Sequence, residues 1–165
     1  MQLHPFDYLD LKNGGRFIFT PCPGTKNTSV SEALETLNEA GAKTIITVLS
    51  SDEIEALSVS SLGKDTTDKN LKWYQLPIED DCEPAEAFNK TWELAKDKIL
   101  TLLEHKETVA IHCRGGSGRT GLMAAILLLE TGENWEDVKQ QIQSIRPKAL
   151  THPAHINYLK KHYSI

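Results

Sequence analysis

The chain has 165 residues, of which 39% are hydrophobic and 25% charged, and carries a formal net charge of -5. That length suits one domain, residues 1–165, built on one substantial core, and the composition is that of a soluble globular protein. A negative balance excludes a nucleic-acid binder that relies on bulk positive charge, so any anion site has to be local.

From the N-terminus, LDLKNGGRFIF alternates around an Asn-Gly-Gly turn and predicts strands near residues 7–11 and 15–20. Val30, Ala33, Leu34 and Leu37 share one face of a helix that Ser29 or Ser31 can cap and Gly41 ends. TIITVL at 44–49 is rich in β-branched residues and predicts a buried strand. Residues 58–70, SVSSLGKDTTDKN, are polar and turn-rich and are expected to form a mobile loop.

LKWYQLPI at 71–78 predicts the next strand. Pro84 can open a long helix in which Phe88, Trp92, Ala95, Ile99 and Leu102 recur at helical spacing as a core stripe. TVAIH at 108–112 is a short strand that runs into CRGGSGRT, and the helix after it is apolar all round at 122–129, which predicts a central position. Two amphipathic helices finish the chain, one presenting Trp135, Val138, Ile142 and Ile145, the other Ile156, Leu159 and Tyr163. Strands alternating with helices, then a helical C-terminal third, predict an α/β domain with a central, largely parallel sheet flanked by helices.

No stretch is long enough to span a bilayer, and MQLHPFDYLDL lacks a basic region followed by an apolar one, so a cytoplasmic protein without a membrane partner is expected. Cys22, Cys82 and Cys113 form no CxxC pair, and the six histidines show no zinc spacing, which predicts reduced thiols and neither a metal nor another cofactor.

The chemistry concentrates in residues 113–120. Gly116, Gly118 and Gly121 formally match GxGxxG, but a dinucleotide fold needs a second strand after the helix, and here Glu136 and Asp137 open another helix. Against the GxxxxGK[ST] pattern, Cys113 stands at the first glycine and Arg119 at the lysine. A different chemistry suits the loop better. Backbone N–H groups of residues 114–119, at the junction of a strand and a helix N-terminus, converge on one anion, and Gly115, Gly116 and Gly118 let the backbone curl closely around it. The same donors stabilise a thiolate, which makes Cys113 a nucleophile. Arg119, on the first turn of the helix, can take two phosphate oxygens with its planar fork. The pattern is phosphate binding combined with covalent attack.

IHCRGGSGRTG matches the HCxxGxxR[ST] signature and so resembles the cysteine-dependent protein tyrosine phosphatases. The order of elements, the TPCPG turn, the PIED segment and the IRPKAL…NYL tail resemble the small dual-specificity phosphatases, most closely the kinase-associated phosphatase group. This resemblance implies a two-step reaction through a phosphocysteine. Cys113 attacks phosphorus, Arg119 and the loop of Arg114, Gly115, Gly116, Ser117 and Gly118 hold the phosphoryl oxygens, Thr120 steadies the departing thiolate, and His112 supports the loop.

A leaving alkoxide or phenoxide needs a proton, and PIEDDCEP supplies carboxylates on a separate loop. Aligning the Pro-Ile pair with the family places the acid at Asp80, with Asp81 as the alternative. Many members carry a glutamine near the last helix that helps position the hydrolytic water, whereas this chain has His155. Cys82 in the acid loop and Cys22 after a strand could each approach Cys113 on oxidation.

The substrate expected is a phosphorylated protein, at tyrosine and at serine or threonine. Family members that act on phosphoinositides carry two or more basic residues inside the loop, and here Arg114 is alone. The alternatives are a phosphoinositide phosphatase and a phosphoprotein-binding module without turnover. A sulfur-transfer or redox enzyme would also use an activated thiol, but has no need of Arg119 and Asp80.

Overall fold

The structure is a computed structural model that describes residues 3–165. Its first strands, β1 (Asp7–Asp10) and β2 (Arg16–Thr20), form the antiparallel hairpin set by the Asn-Gly-Gly turn, with Asp7 opposite Phe19 and Asp10 opposite Arg16. Inside the turn the Asn13 side chain accepts from Gly15 N–H at 2.8 Å, the local bond that makes asparagine a turn residue. Helix α1 (Val30–Glu39) begins at Ser29, which closes a capping box with Glu32. It buries Ala33, Leu34 and Leu37. Strand β3 (Ala42–Thr47) follows.

After the short helix α2 (Ser51–Ala56), the polar stretch 58–70 is not a loop throughout. It holds a second short helix, α3 (Leu62–Asp68), ahead of β4 (Lys72–Gln75). Leu62 and Thr66, four residues apart, are fully buried and anchor α3. The Thr66 and Thr67 hydroxyls donate back to the carbonyls of Leu62 and Gly63, and the ring of Trp73 covers Gly63 so closely that a Cβ there would lie 2.6 Å from Cζ3. Two buried side chains in a polar run were enough to build a helix, because Trp73 on the next strand supplies the surface it packs against.

Helix α4 (Glu86–Glu104) starts two residues after Pro84 and buries Phe88, Trp92, Ala95, Ile99 and Leu102 as one stripe. Strand β5 (Thr108–His112) then leads into α5 (Gly118–Glu130), whose residues 119–128 are all buried. Helices α6 (Trp135–Ile145) and α7 (Pro153–Tyr163) close the chain. On α6, Val138 and Ile142 are buried and Trp135 and Ile145 pack partly against the core, as their spacing predicts. On α7 the buried face is His155, Tyr158 and Leu159, so the stripe is rotated from the one its apolar residues alone suggest, and His155 is turned inward.

The sheet order is β1-β2-β5-β3-β4, with β2, β5, β3 and β4 parallel to one another and only the hairpin strand β1 antiparallel. One continuous apolar cluster joins both faces of this sheet to its helices. Among the described residues no helix is long and apolar enough to cross a membrane. The C-terminal end of β5, flanked on both sides by parallel strands, is where such a sheet opens a ligand crevice.

Gly121 sits where α5 meets the turn after α6. A Cβ there would lie 2.6 Å from the Cβ of Ala149 and 3.4 Å from Cγ2 of Ile142. Gly121→Val should therefore destabilise the fold by about 1–3 kcal/mol through overpacking, read as a lower urea midpoint at unchanged slope.

Candidate active site

The register aligns three strand ends. Thr20 of β2 and Thr47 of β3 both pair with His112 of β5, so the segments after these strands emerge side by side. Two backbone bonds continue the pairing into the loop: Val48 N–H donates to His112 O and Cys22 N–H to Arg114 O, each at 2.9 Å. The loop 113–117 is thus clamped on both sides before it enters α5.

His112 is fully buried and fixed by a directed chain of bonds. The Cys113 carbonyl can only accept, so Nδ1 carries the proton at 3.0 Å. Nε2 then accepts from the Thr47 hydroxyl at 2.7 Å, and the Thr47 oxygen accepts from Trp73 Nε1–H at 2.7 Å. A neutral ring satisfies every member of this chain. Burial, and then the nearby His4 and Arg119, hold the His112 pKa down at about 4, against the pull of the Cys113 carbonyl.

Cys113 lies at the floor of the loop, 4% exposed. Its Sγ receives the Thr120 hydroxyl at 3.2 Å and Gly116 N–H at 3.3 Å. Gly116 has φ 81°, and a Cβ there would lie 2.6 Å from the carbonyl carbon and oxygen of Thr20, so only glycine fits. Its carbonyl faces away from the site and accepts from Arg146 Nε at 2.8 Å. Because a trans peptide sets C=O and N–H in opposite directions, this bond turns Ser117 N–H toward the concave side of the loop. Arg146 also bonds Asp7 at 2.8 Å and Phe19 O at 3.4 Å. Ser117 precedes α5 without a side-chain capping bond, leaving the first helical N–H groups to an anion.

Arg119 is 3% exposed, and a buried guanidinium demands a partner. Glu53 of α2 meets it with both oxygens, Oε1 to Nη1 at 2.8 Å and Oε2 to Nη2 at 2.9 Å, while Ile78 O accepts from Nη1 at 3.0 Å. The Nε edge is left, and Asp80 Oδ1 stands 3.5 Å from it. Glu53 is the site residue that sequence reasoning missed. It is 66 positions from Arg119, on a helix of six residues inside a stretch without strong periodicity, and no local pattern marks it.

The acid loop separates its two aspartates. Asp80 projects toward Arg119 with its side chain 71% exposed, whereas Asp81, at φ 59°, turns to His152 Nε2 at 3.4 Å. Glu83 pairs with Lys161 at 3.2 Å, so the loop is tied to α7 at two points. Arg114, Gly115 and Gly118 are exposed at the mouth of the loop. Cys82 is exposed, while Cys22 is buried, with its backbone N–H on the Arg114 carbonyl. Burial first, then the Cys113 and Glu53 charges, push the Cys22 thiol up to about 12, which keeps it protonated.

A family model described as a polymorphic toxin system DSP-PTPase phosphatase matches residues 22–133, more than half of the chain and the whole of the loop just described. The chain belongs to the DSP-PTPase phosphatase family. It is a cysteine-dependent phosphatase of the tyrosine and dual-specificity superfamily. Protein tyrosine phosphatase type IVA 3 of Bos taurus is 29% identical over 148 residues, which cover 89% of this chain and 78% of that protein. A probable type IVA B phosphatase of Dictyostelium discoideum is 30% identical over 95 residues, 57% of this chain and 58% of that protein. The fold of this phosphatase superimposes on the kinase associated phosphatase with its catalytic cysteine changed to serine, at TM-score 0.84 and 21% identity over 99% of this chain and 98% of that one. It also matches PTPMT1, solved in complex with PI(5)P, at TM-score 0.67 and 20% identity over 90% of each chain.

The neutral histidines of this phosphatase make it acid-sensitive above the range where its carboxylates titrate. Besides His112, His155 is held at about 4 and His4 is lowered, in each case chiefly by burial. A folded pKa below the unfolded value of about 6.5 means stability present at neutral pH and lost as pH falls from about 6.5 toward 4. His112 alone should remove about 2 kcal/mol between pH 7 and pH 5. Urea denaturation at the two pH values measures it.

Proposed function

We propose that the chain acts as a single phosphatase domain that hydrolyses phosphorylated side chains of proteins, phosphotyrosine and also phosphoserine or phosphothreonine, through a phosphocysteine. The observation that carries this reading is the shared geometry of three groups. The Cys113 sulfur accepts two hydrogen bonds, Arg119 is pre-set by Glu53, and Asp80 faces the remaining edge of Arg119.

In the first step the Cys113 thiolate attacks phosphorus in line. Arg119 and the N–H groups of residues 114–119 hold the three equatorial oxygens, with donors oriented before the substrate arrives. Asp80 gives its proton to the leaving oxygen. In the second step water cleaves the P–S bond, and the Thr120 hydroxyl steadies the thiolate as it departs. Glu53 does not touch substrate. It keeps the Arg119 fork in plane and compensates its buried charge.

Cys113→Ser should abolish turnover while orthovanadate or phosphate still binds, since the hydroxyl preserves the loop but ionises far too weakly to attack. Asp80→Asn should slow esters with poor leaving groups by about 10²–10⁴-fold and activated aryl phosphates far less. Equal slowing of both classes, or the leaving-group pattern in Asp81→Asn instead, would reject Asp80 as the acid.

The protein substrate class is supported by charge. Arg114 is the one basic residue inside the loop apart from Arg119, and Glu79, Asp80, Asp81 and Glu83 crowd the facing segment, which disfavours a polyanionic inositol headgroup. Phosphotyrosyl and phosphothreonyl peptides should give higher kcat/KM than soluble short-chain phosphoinositides. The reverse order would reassign the substrate.

A further inference from the structure

One edge of the sheet is left without a partner. Strand β4 pairs only with β3, and Leu76 N–H donates to Thr47 O, so by the alternation of a parallel ladder Tyr74 also turns its peptide groups inward. Trp73 and Gln75 turn theirs outward. Among the described residues neither makes a backbone hydrogen bond on that side, which leaves a row of donors and acceptors open to another strand. Both flanks of this edge are hollow. Trp73 and Gln75 border a cavity of about 320 Å³ with Ile54, Glu55 and Lys64 of α2 and α3. On the other flank Tyr74 and Leu76 border one of about 230 Å³ with Lys98 and Leu94 of α4, and Leu94 is 80% exposed. An added strand sends successive side chains to opposite faces, so its two sets would enter the two hollows in turn.

Charge tells the flanks apart. Lys72 shares the α4 flank with Tyr74 and Leu76, and Lys98 borders the hollow there. Lys64, Lys90 and Lys96 each meet a carboxylate, at 2.6, 3.4 and 3.0 Å, whereas Lys72 and Lys98 form no ion pair among the described residues. In a chain of net charge -5 this is a local cationic strip. We propose that the β4 edge docks an extended acidic segment of a partner protein, which joins the five-stranded sheet with its carboxylates toward Lys72 and Lys98 and its apolar side chains toward Trp73. A second copy of the chain fits poorly. Two β4 edges joined about a two-fold axis normal to the sheet would gather Lys72 and Lys98 of both copies on one face. Strand β3 stands between this edge and β5, so the docking site is separate from the phosphate loop.

The probe is a peptide of four Val-Glu repeats, blocked at both ends and titrated into isotopically labelled protein with saturating orthovanadate present to occupy the phosphate loop. Binding should shift the amide signals of Trp73 and Gln75 and slow their exchange with solvent. Only one set of peptide nitrogens can face β4, so N-methylation of the valines or of the glutamates, but not both, should weaken binding by about tenfold or more. Lys72→Glu combined with Lys98→Glu should weaken the Val-Glu peptide by about tenfold and make a Val-Lys peptide the better ligand. Both lysines are exposed, so this reversal leaves the core intact. No binding, equal binding of the Val-Lys peptide to the wild type, shifts confined to the phosphate loop, or no loss from either methylation would overturn the proposal. Protection of Trp73 and Gln75 that grows with protein concentration in the absence of peptide would overturn it too, by giving the edge to a second copy.

Discussion

A guanidinium buried at the end of a sheet requires a carboxylate, and much of the architecture around this site exists to bring one there. Arg119 enters from the first turn of α5, and its charge is met by Glu53 from α2, the short helix that follows β3. The pair is bidentate and largely withdrawn from water, so it is worth more than a surface ion pair and its loss would strand a charge. Everything in its vicinity has a position relative to it. Ser50 caps the helix that carries Glu53, the Ile78 carbonyl closes one side of the fork, and the acid loop begins at the next residue. The edge that Glu53 leaves open is the Nε edge, which Asp80 faces.

Two further contacts hold the loop itself. His112 works from beneath, through a chain of bonds running from Trp73 to the Cys113 carbonyl, and Arg146 works from the side, through the Gly116 carbonyl. Both act on peptide oxygens and not on N–H groups. This division is why the loop tolerates three glycines without losing its shape. Glycine removes side-chain obstruction, and the neighbours restore the order that glycine gives up.

What the sequence revealed depended on whether the determining contacts were local. The hairpin turn, a helix start at Ser29 or Ser31, the stripe from Phe88 to Leu102 and the Cys-x5-Arg loop are each specified by nearby residues, and each was readable, although the choice of Ser29 and its capping box with Glu32 came from the structure. The segment 58–70 was misread as a loop because its helix depends on Trp73, a surface supplied from outside it. Glu53 and Arg146 were unassigned for the same reason, since their partners lie 66 and 30 positions away. On α7 the apolar periodicity pointed to Ile156, whereas the fold turned His155 inward, a polar residue in a place that hydropathy assigns to apolar ones.

The Arg146 contacts also bear on how the protein is made. One guanidinium joins the phosphate loop to Asp7, 139 positions earlier in the chain, and to Phe19 O, 127 positions earlier. Closing so long a separation adds little to the equilibrium cost, because that cost grows only logarithmically with length. A nascent chain on the ribosome can thus carry its hairpin, its sheet strands and its cysteine well before residue 146 emerges to lock the peptide plane at Gly116. The Gly116 peptide plane beside Cys113 is locked only once residue 146 has joined the hairpin at Asp7 and Phe19.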